Sequence, residues 1–483
     1  MRQHLTAALM LTASVAAAQQ PARHAFTPAD WYKVTTLSTP ALSPDGKQVA
    51  FTVTTVREAE NKRHSEVWVV PTAGGQPMRY TSPGFESSNP RFADDGKTLY
   101  FTSQRPGGRG TNWALRMDQP AGEAFQPDRP PTFQQGSQPA DKSFTIISQG
   151  SGGGRGAGGG RGGRGGASGE ADSSAANPND PYAKMQPMAR PPYDAITKPE
   201  NSARFDGRQI TSMLYKANGV GYVPGPSTAP RPPQRPEPAQ ISIERQGSAR
   251  KALTDGKYSH NGAVVSPDGK WVAFTADVSL RPDSVVTARR DSISKLPPDR
   301  KRDELPINDT DIYLLPVAAC EAKTAECTPR KIEFAGNESQ LQWSPDSKEI
   351  AFVGQAGRFK NQRLYIVPAA GGKPQDVLGA WPYEPGTIQW LKNGSISMAT
   401  STGGSRGVYA VDPATKKIST IIGGRRVVNT PTYDASQSHI VYISTDMTHP
   451  TELFIANADG TGTPVKVWSG SATGIDWGPA PGP

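Results

Sequence analysis

One serine of the 483-residue sequence stands in a pattern that could support nucleophilic catalysis, because Ser405 lies at the centre of a Gly-x-Ser-x-Gly run at 403–407. In an α/β-hydrolase this run forms a sharp turn between a strand and a helix, and an acid and a histidine follow it along the chain. Here strand-like segments flank Ser405 on both sides, and the later histidines are His439, in a strand-like segment, and His449, in a turn. We therefore predict a hairpin loop at Ser405 and no catalytic residue in this chain.

Other residue types that support catalysis or metal binding are scattered. The six histidines are isolated from one another, no Cys/His cluster has the spacing of a metal site, and no phosphate-binding Gly-Lys-Ser/Thr loop occurs. We predict no metal ion, no cofactor and no cofactor-binding residue.

The first 18 residues have the pattern of a secretory signal peptide. Arg2 precedes an apolar run at 5–15, and small residues then lead to Ala18. The run is too short to cross a bilayer and no second one follows. The protein is thus predicted to be periplasmic or secreted, cleaved near Ala18, and not membrane-spanning.

The two cysteines, Cys320 and Cys327, have six residues between them. In an oxidising compartment a short-loop disulfide is expected, and two reduced thiols are the alternative. Because the closed loop is short, the disulfide is expected to add little stability.

The composition suits many short strands rather than helices, with 35% hydrophobic residues, 50 Gly and 46 Pro. The formal net charge is +9, yet basic and acidic residues mix in short runs such as 300–304. No basic helix with interleaved aromatics occurs, and the Arg-Gly run at 160–166 is expected to be a flexible loop. We predict no nucleic-acid partner.

A turn signature recurs along the chain and predicts the fold. Its clearest copies read Ser-Pro-Asp-Gly-Lys or nearly so, with the turn aspartate at Asp45, Asp268 and Asp346, and a weaker copy contains Asp95. Proline presets the first corner, aspartate accepts backbone N–H groups and glycine adopts a left-handed conformation, so these aspartates are structural turn positions. A strand with alternating residues follows each turn. A second weaker copy contains Asn393, and degenerate copies occur at Asp141 and Ser436.

Most intervals between these turns match the roughly 40 to 50 residues of a four-stranded propeller blade. The two longer intervals contain a low-complexity insert at about 149–200 and a charged insert at about 277–308, with a short helix near 285–296. We predict an all-β fold: a seven-bladed β-propeller of four-stranded antiparallel blades over 37–483, after a lead-in segment at 19–36. Six blades are the alternative if the segment at Asp141 is not a repeat.

Several of these segments resemble the N-terminal half of bacterial peptidases of the prolyl oligopeptidase family, in the dipeptidyl-peptidase and acylaminoacyl-peptidase-like branch. The resemblance rests on Phe-Thr-Pro-Ala-Asp-Trp at 26–31, on the first turn at 42–47, and on the strands ending in Val-Pro before Gly-Gly at 66–75 and 363–372. The turn is also similar to that of TolB-like periplasmic propellers.

The resemblance implies a propeller that precedes an α/β-hydrolase domain and admits peptides rather than folded proteins. The sequence shows no such domain, so we expect catalysis to require a hydrolase domain that this chain lacks. Dipeptidyl-peptidase relatives hold a substrate amino terminus with adjacent glutamates, and no Glu-Glu pair occurs here. Dipeptide-releasing specificity is therefore not predicted.

Three functions stay open from the sequence. The first is the propeller half of a secreted serine peptidase, shortened by truncation, a split gene or fragmentary sequence, with a peptide or a hydrolase domain as partner. It predicts an exposed patch where Trp31, Tyr32 and the C-terminal segment would meet the hydrolase. The second is a stand-alone TolB-like periplasmic binding or scaffolding propeller. The third, a carbohydrate-binding propeller, has only scattered aromatics in its favour.

Overall fold

The computed structural model describes residues 24–105, 111–118, 123–127, 144–149, 216–217, 221–222, 238–245, 248–255, 259–276, 283–297, 310–357, 360–470 and 475–476. The chain divides into a main unit, 1–149 with 238–483, and a second unit, 150–237. The described part of the second unit is one antiparallel hairpin. The signal peptide, and the low-complexity insert apart from Gln149, lie outside the described residues.

The main unit is built of successive antiparallel sheets, whose strands are numbered here in chain order. The first sheet contains β2 (Thr36–Leu42), β3 (Gln48–Arg57), β4 (Lys62–Pro71) and β5 (Met78–Arg79). The second contains β6 (Ser87–Phe92), β7 (Thr98–Ser103) and β8 (Asn112–Arg116). The third contains β9 (Phe144–Gln149), β12 (Gln240–Arg245) and β13 (Lys251–Ala252).

The later sheets follow the same order. The fourth contains β14 (Asn261–Val265), β15 (Trp271–Ala276), β16 (Asp311–Pro316) and β17 (Arg330–Lys331). The fifth contains β18 (Asn337–Trp343), β19 (Glu349–Gln355), β20 (Arg363–Pro368) and β21 (Gln375–Asp376). The last contains β22 (Ile388–Trp390), β23 (Ile396–Thr402), β24 (Ser405–Val411), β25 (Ile418–Ile422), β26 (Val427–Tyr433), β27 (His439–Thr445), β28 (Glu452–Asn457) and β29 (Val465–Ser469).

The remaining elements are short. A parallel pair joins β1 (His24–Ala25) to β30 (Ile475–Asp476), and the hairpin of the second unit contains β10 (Lys216–Ala217) and β11 (Gly221–Tyr222). Among the described residues the helices are two 3₁₀ turns, Pro28–Lys33 and Glu58–Glu60, and two α-helices, α1 (Asp283–Ser294) and α2 (Val317–Ala322). Helix α1 occupies the charged insert where the sequence predicts a helix.

The recurring turn has a serine at its centre. In the first copy Ser43 Oγ donates to Asp45 Oδ1 at 2.6 Å and accepts the backbone N–H groups of Lys47 and Gln48 at 3.1 and 2.9 Å. Gly46 closes the turn at φ +70°. The hydrogen bond from Ser43 is the main cause that lowers the pKa of Asp45. The serine-to-aspartate bond recurs between Ser266 and Asp268 and between Ser344 and Asp346.

A bulge in the first strand of several sheets is a second repeated feature. The strand register shifts before the turn in five strand pairs, and in each the bulge contains a residue with left-handed backbone, which is uncommon outside glycine. These residues are Thr39, Asn89, Gly262, Gln340 and Thr430. Gln340 hydrogen-bonds the backbone of Gly386 and Ile388 at 3.0 and 3.2 Å, so this bulge links the fifth sheet to the strands that follow.

The core consists of apolar clusters between sheets rather than one central cluster. One cluster joins the first sheet to the end of the last: Leu37 and Phe51 pack with Val441 and Leu453. The hydrogen bonds of the described strands do not close one continuous sheet, so this side-chain packing and the short β1–β30 pair join the two ends of the main unit. The fold is mostly β with antiparallel sheets, as predicted, whereas seven as the number of blades stays a prediction.

Candidate functional site

The N-terminal lead-in presents three exposed aromatic side chains. Phe26 is 39% exposed, Trp31 59% and Tyr32 40%, all on or beside the 3₁₀ turn Pro28–Lys33. Large aromatics are usually buried, and their exposure together is typical of a contact surface. We refer to Phe26, Trp31 and Tyr32 as the aromatic surface.

The buried Asp30 stabilises the conformation of this turn through hydrogen bonds. Its side chain is buried; Oδ2 accepts the Thr27 hydroxyl at 2.6 Å and the Thr27 backbone N–H at 2.9 Å, and Oδ1 accepts Lys33 Nζ at 3.0 Å. The Thr27 hydroxyl, then Lys33, hold the pKa of Asp30 well below its ordinary range. The carboxylate therefore stays ionised and keeps its hydrogen bonds, which fixes the aromatic residues between Thr27 and Lys33.

The C-terminal segment lies against the same lead-in. Strand β1 pairs in parallel with β30, with His24 opposite Ile475 and Ala25 opposite Asp476. Near by, Thr451 Oγ1 accepts the backbone N–H of Leu37 and donates to the carbonyl of Thr35, both at 3.1 Å. The aromatic surface thus follows directly in sequence after the strand that pairs with β30.

The four predicted turn aspartates, Asp45, Asp95, Asp268 and Asp346, all occupy tight turns in the structure. At Asp95 the preceding serine is replaced by Ala93, and Asp95 Oδ1 still accepts the backbone N–H of Lys97 at 2.9 Å. In the last copy, Asp434 stands at the position of the serine, and its Oδ2 accepts a hydrogen bond from the Ser436 hydroxyl at 2.6 Å. The sequence analysis does not predict that the serine before the proline forms these hydrogen bonds, although the repeated Ser-Pro-Asp motif indicates a role for it.

Ser405 begins β24 directly after a two-glycine turn. Gly403 and Gly404 have φ of +54° and +87°, and Ser405 pairs with Thr402 across the hairpin. No histidine hydrogen-bonds Ser405 in the described part of the chain. The elements around it are two strands, so the strained strand-to-helix turn of a serine nucleophile is not formed here.

Cys320 and Cys327 are joined by a disulfide with an S–S distance of 2.09 Å. Cys320 lies in α2, which directly follows β16. Cys320 is buried in the cluster of apolar side chains that joins the third and fourth sheets, so the disulfide fastens the segment after β16 to this core.

Neither a metal-binding cluster nor a membrane-spanning helix occurs in the part of the chain that the structure describes. Within the described residues, no three His, Cys, Asp or Glu side chains are arranged to hold a metal ion. None of the described helices is both long and apolar enough to span a membrane.

The amino-acid sequence is similar to those of known peptidases. No family model matches the chain. An uncharacterized peptidase of Bacillus subtilis, YuxL, is 21% identical over 252 residues, which cover 52% of this chain and 31% of the relative. A dipeptidyl-peptidase 5 of Arthroderma otae is 29% identical over 141 residues, 28% of this chain and 17% of the relative. The matched region thus spans about a third or less of these relatives.

Among solved structures, the β-propeller domain of the trilobed protease of Pyrococcus furiosus covers 91% of this chain and 99% of its own, at 12% identity and a TM-score of 0.48. An acylaminoacyl peptidase covers 90% of this chain and 53% of its own, at 13% identity and a TM-score of 0.46. The homologues and structural neighbours of this chain are peptidases of the prolyl oligopeptidase family and the propeller domains of such peptidases. The sequence relatives, a peptidase and a dipeptidyl-peptidase, confirm the family resemblance seen in the sequence.

Proposed function

We propose that this chain is the non-catalytic propeller region of an exported serine peptidase of the prolyl oligopeptidase family, and that it gates the access of peptides to a hydrolase domain. The observation that carries the proposal is the aromatic surface held over the buried Asp30, beside the paired strands β1 and β30. The sequence relatives, which are peptidases, supply the class of partner.

The packing of the sheets supports the gating role. Apolar clusters join the first sheet to the second, the fourth to the fifth and the first to the last, as blades pack in a propeller. A propeller of seven blades in front of a hydrolase domain would limit entry by the width of its channel and of the gap between the domains. Peptides would pass and folded proteins would be excluded.

The first test is chemical. The purified chain is expected neither to hydrolyse aminoacyl and acylaminoacyl chromogenic amides nor to react with an active-site fluorophosphonate. The control is a reaction with the hydrolase domain of a family peptidase, which reacts with both. Stoichiometric labelling of this chain, mapped to Ser405 or any other serine, would overturn the non-catalytic part of the proposal.

The second test is genetic. The coding sequence downstream of Pro483, or a neighbouring gene, is expected to encode a hydrolase domain with a Gly-x-Ser-x-Gly elbow and a later histidine. Export is tested separately by fractionating cells that express the native gene and sequencing the mature N-terminus, which is expected near Gln19. A stop codon after Pro483 together with unrelated neighbours favours a stand-alone periplasmic scaffold and contradicts the peptidase role.

A further inference from the structure

A small cavity at one end of the last sheet shares no residue with the aromatic surface. Its volume is about 270 Å³. Arg426, directly before β26, lines one part of it, and Ser444 of β27 and Phe454 of β28 line another. The turn between β27 and β28, with Asp446 and His449, completes the rim.

Strand pairing places the polar groups of this cavity side by side. Ser444 lies opposite both Val428 of β26 and Glu452 of β28 in the antiparallel register. Directly opposed residues on neighbouring strands project from the same face of a sheet. Ser444 and Glu452 are therefore neighbours on one face, together with Phe454, which lies two residues beyond Glu452.

The acidic groups of the cavity already have partners. Glu452 Oε1 lies 3.1 Å from Lys466 Nζ. Asp446 Oδ1 accepts the backbone N–H groups of Thr448 and His449, both at 2.8 Å, and lies 2.9 Å from His449 Nδ1. These hydrogen bonds outweigh the effect of burial and lower the pKa of Asp446. Both carboxylates are thus engaged within the protein.

Arg426 is different. In the described part of the chain it forms no ion pair; its guanidinium carbon lies 5.8 Å from the centroid of the Phe454 ring, and the guanidinium also interacts with the Tyr442 hydroxyl. A guanidinium has several N–H donors, so contacts with one ring face and one hydroxyl leave donors for an anion. Lys466 pairs with Glu452 and backbone N–H groups bond Asp446, so Arg426 is the cation of the lining that has no ion-pair partner among the described residues.

Ser444 supplies a second unused group. Its side chain is 5% exposed, and none of the hydrogen bonds among the described residues involves its hydroxyl. In particular Ser444 is not bonded to His449, so Ser444, His449 and Asp446 do not form the relay of a serine hydrolase. A buried hydroxyl beside a guanidinium that has no ion-pair partner among the described residues suits the binding of an anion rather than catalysis.

We propose that this cavity binds a small carboxylate, with the Arg426 guanidinium as its ion-pair partner, the Ser444 hydroxyl as hydrogen-bond donor and the Phe454 ring as apolar wall. A guanidinium matches the two oxygens of a carboxylate, and the volume of about 270 Å³ limits the ligand to the size of an amino acid or the end of a peptide. The shared chemistry is the carboxylate, whether it belongs to a free amino acid or to a peptide C-terminus.

Isothermal titration calorimetry of the full chain tests this proposal with four probes: glycine, N-acetylglycine, the dipeptide glycylglycine and N-acetylglycinamide. Saturable binding is expected for a carboxylate probe and not for the amide. Tighter binding of glycine indicates a free amino acid, and tighter binding of N-acetylglycine or glycylglycine indicates a peptide C-terminus. Absence of saturable binding for all three carboxylates at millimolar concentration, or equal binding of the amide, would overturn the proposal.

Variants locate the site. Arg426→Gln is expected to weaken carboxylate binding at least about tenfold and Ser444→Ala about threefold to tenfold, since hydrogen bonds to charged groups are stronger than neutral ones. The matched control is Arg425→Gln, which changes an exposed neighbouring arginine outside the cavity and is expected to leave affinity unchanged. Arg426→Lys keeps the charge without the planar fork and is expected to bind more weakly than the parent. Equal losses in the Arg425 and Arg426 variants would contradict the assignment.

Discussion

The indole rings of Trp68 and Trp468 stack with their centroids 6.1 Å apart and their planes at 15°, although Trp68 lies in the first sheet and Trp468 in the last. Phe51 adds a second contact, with its ring centroid 5.3 Å from that of Trp468. These rings border the cluster that contains Leu37 and Leu453. Side chains thus join the first sheet to the last, which share no ladder of backbone hydrogen bonds.

This contact predicts energetic coupling between the two tryptophans. A double-mutant cycle with Trp68→Leu and Trp468→Leu is expected to give a coupling energy of about 0.5–1.5 kcal/mol, the usual size for an aromatic pair. The measurement is the free energy of unfolding in urea. As control, the cycle between Trp68→Leu and Trp390→Leu, in a separate cluster, is expected to be additive within about 0.5 kcal/mol. Additivity in the first cycle would contradict the packing of the first sheet on the last.

The turn serines predict opposite effects at two matched positions. Ser344→Ala removes the acceptor of two backbone N–H groups and the donor to Asp346, and is expected to lower the free energy of unfolding by about 1–2 kcal/mol. Ala93→Ser introduces the same hydroxyl into the second turn, where Gly96 N–H already donates to the Ala93 carbonyl at 2.9 Å. It is expected to stabilise the protein by about 0.5–1 kcal/mol. A lower free energy of unfolding for Ala93→Ser would show that the serine hydroxyl does not stabilise the turn.

Asp30 predicts a pH dependence of stability. Its pKa is lowered in the folded protein from its ordinary value of 3.8, so the folded state binds fewer protons than the unfolded state in acid. The stabilisation is therefore fully present above about pH 5 and is lost as the pH falls below 4. Asp30→Asn is expected to be less stable than the parent at pH 7, and the difference is expected to shrink between pH 5 and pH 2. A difference that is independent of pH would sink this explanation. Asp291→Asn on the exposed α1 serves as control.

The disulfide predicts a measurable but modest effect. Under non-reducing conditions the intact mass is expected to be lower than the fully reduced mass by two hydrogens, and a peptide containing both Cys320 and Cys327 carries the difference. Cys320→Ala with Cys327→Ala is expected to cost less than about 3 kcal/mol of unfolding free energy, because the closed loop is short. Free thiols in protein purified under oxidising conditions would contradict the bond.

From the proposed function we expect the aromatic surface, and Trp31 in particular, to contact the hydrolase domain. With the separately expressed hydrolase domain of the same locus as ligand, Trp31→Ala is expected to weaken binding at least about tenfold, since buried tryptophans are frequent hot spots of interfaces. Met447→Ala, which removes another exposed apolar side chain, is the control and is expected to change the affinity little. Equal affinities of the parent and the Trp31 variant would place the interface elsewhere.

The amino-acid sequence by itself determined the local structure. Ser-Pro-Asp-Gly turns, the strands that follow them and the Gly-Gly hairpin before Ser405 depend on residues within a few positions of one another. The corner of a turn and the alternation of a strand are local properties, so they could be predicted from the sequence. The role of the turn serine could not be predicted, because it depends on hydrogen-bond geometry as well as on the residue types of the motif.

Contacts between distant segments were decided only by the tertiary structure. Nothing near Asp30 in sequence predicts its burial, and nothing in the sequence pairs β1 with β30 or places Arg426 over Phe454 beside the buried Ser444 hydroxyl. Each of these depends on which sheets pack together and on the register between their strands. A one-residue change of register moves a side chain to the opposite face of its sheet, so pattern alone leaves such sites open.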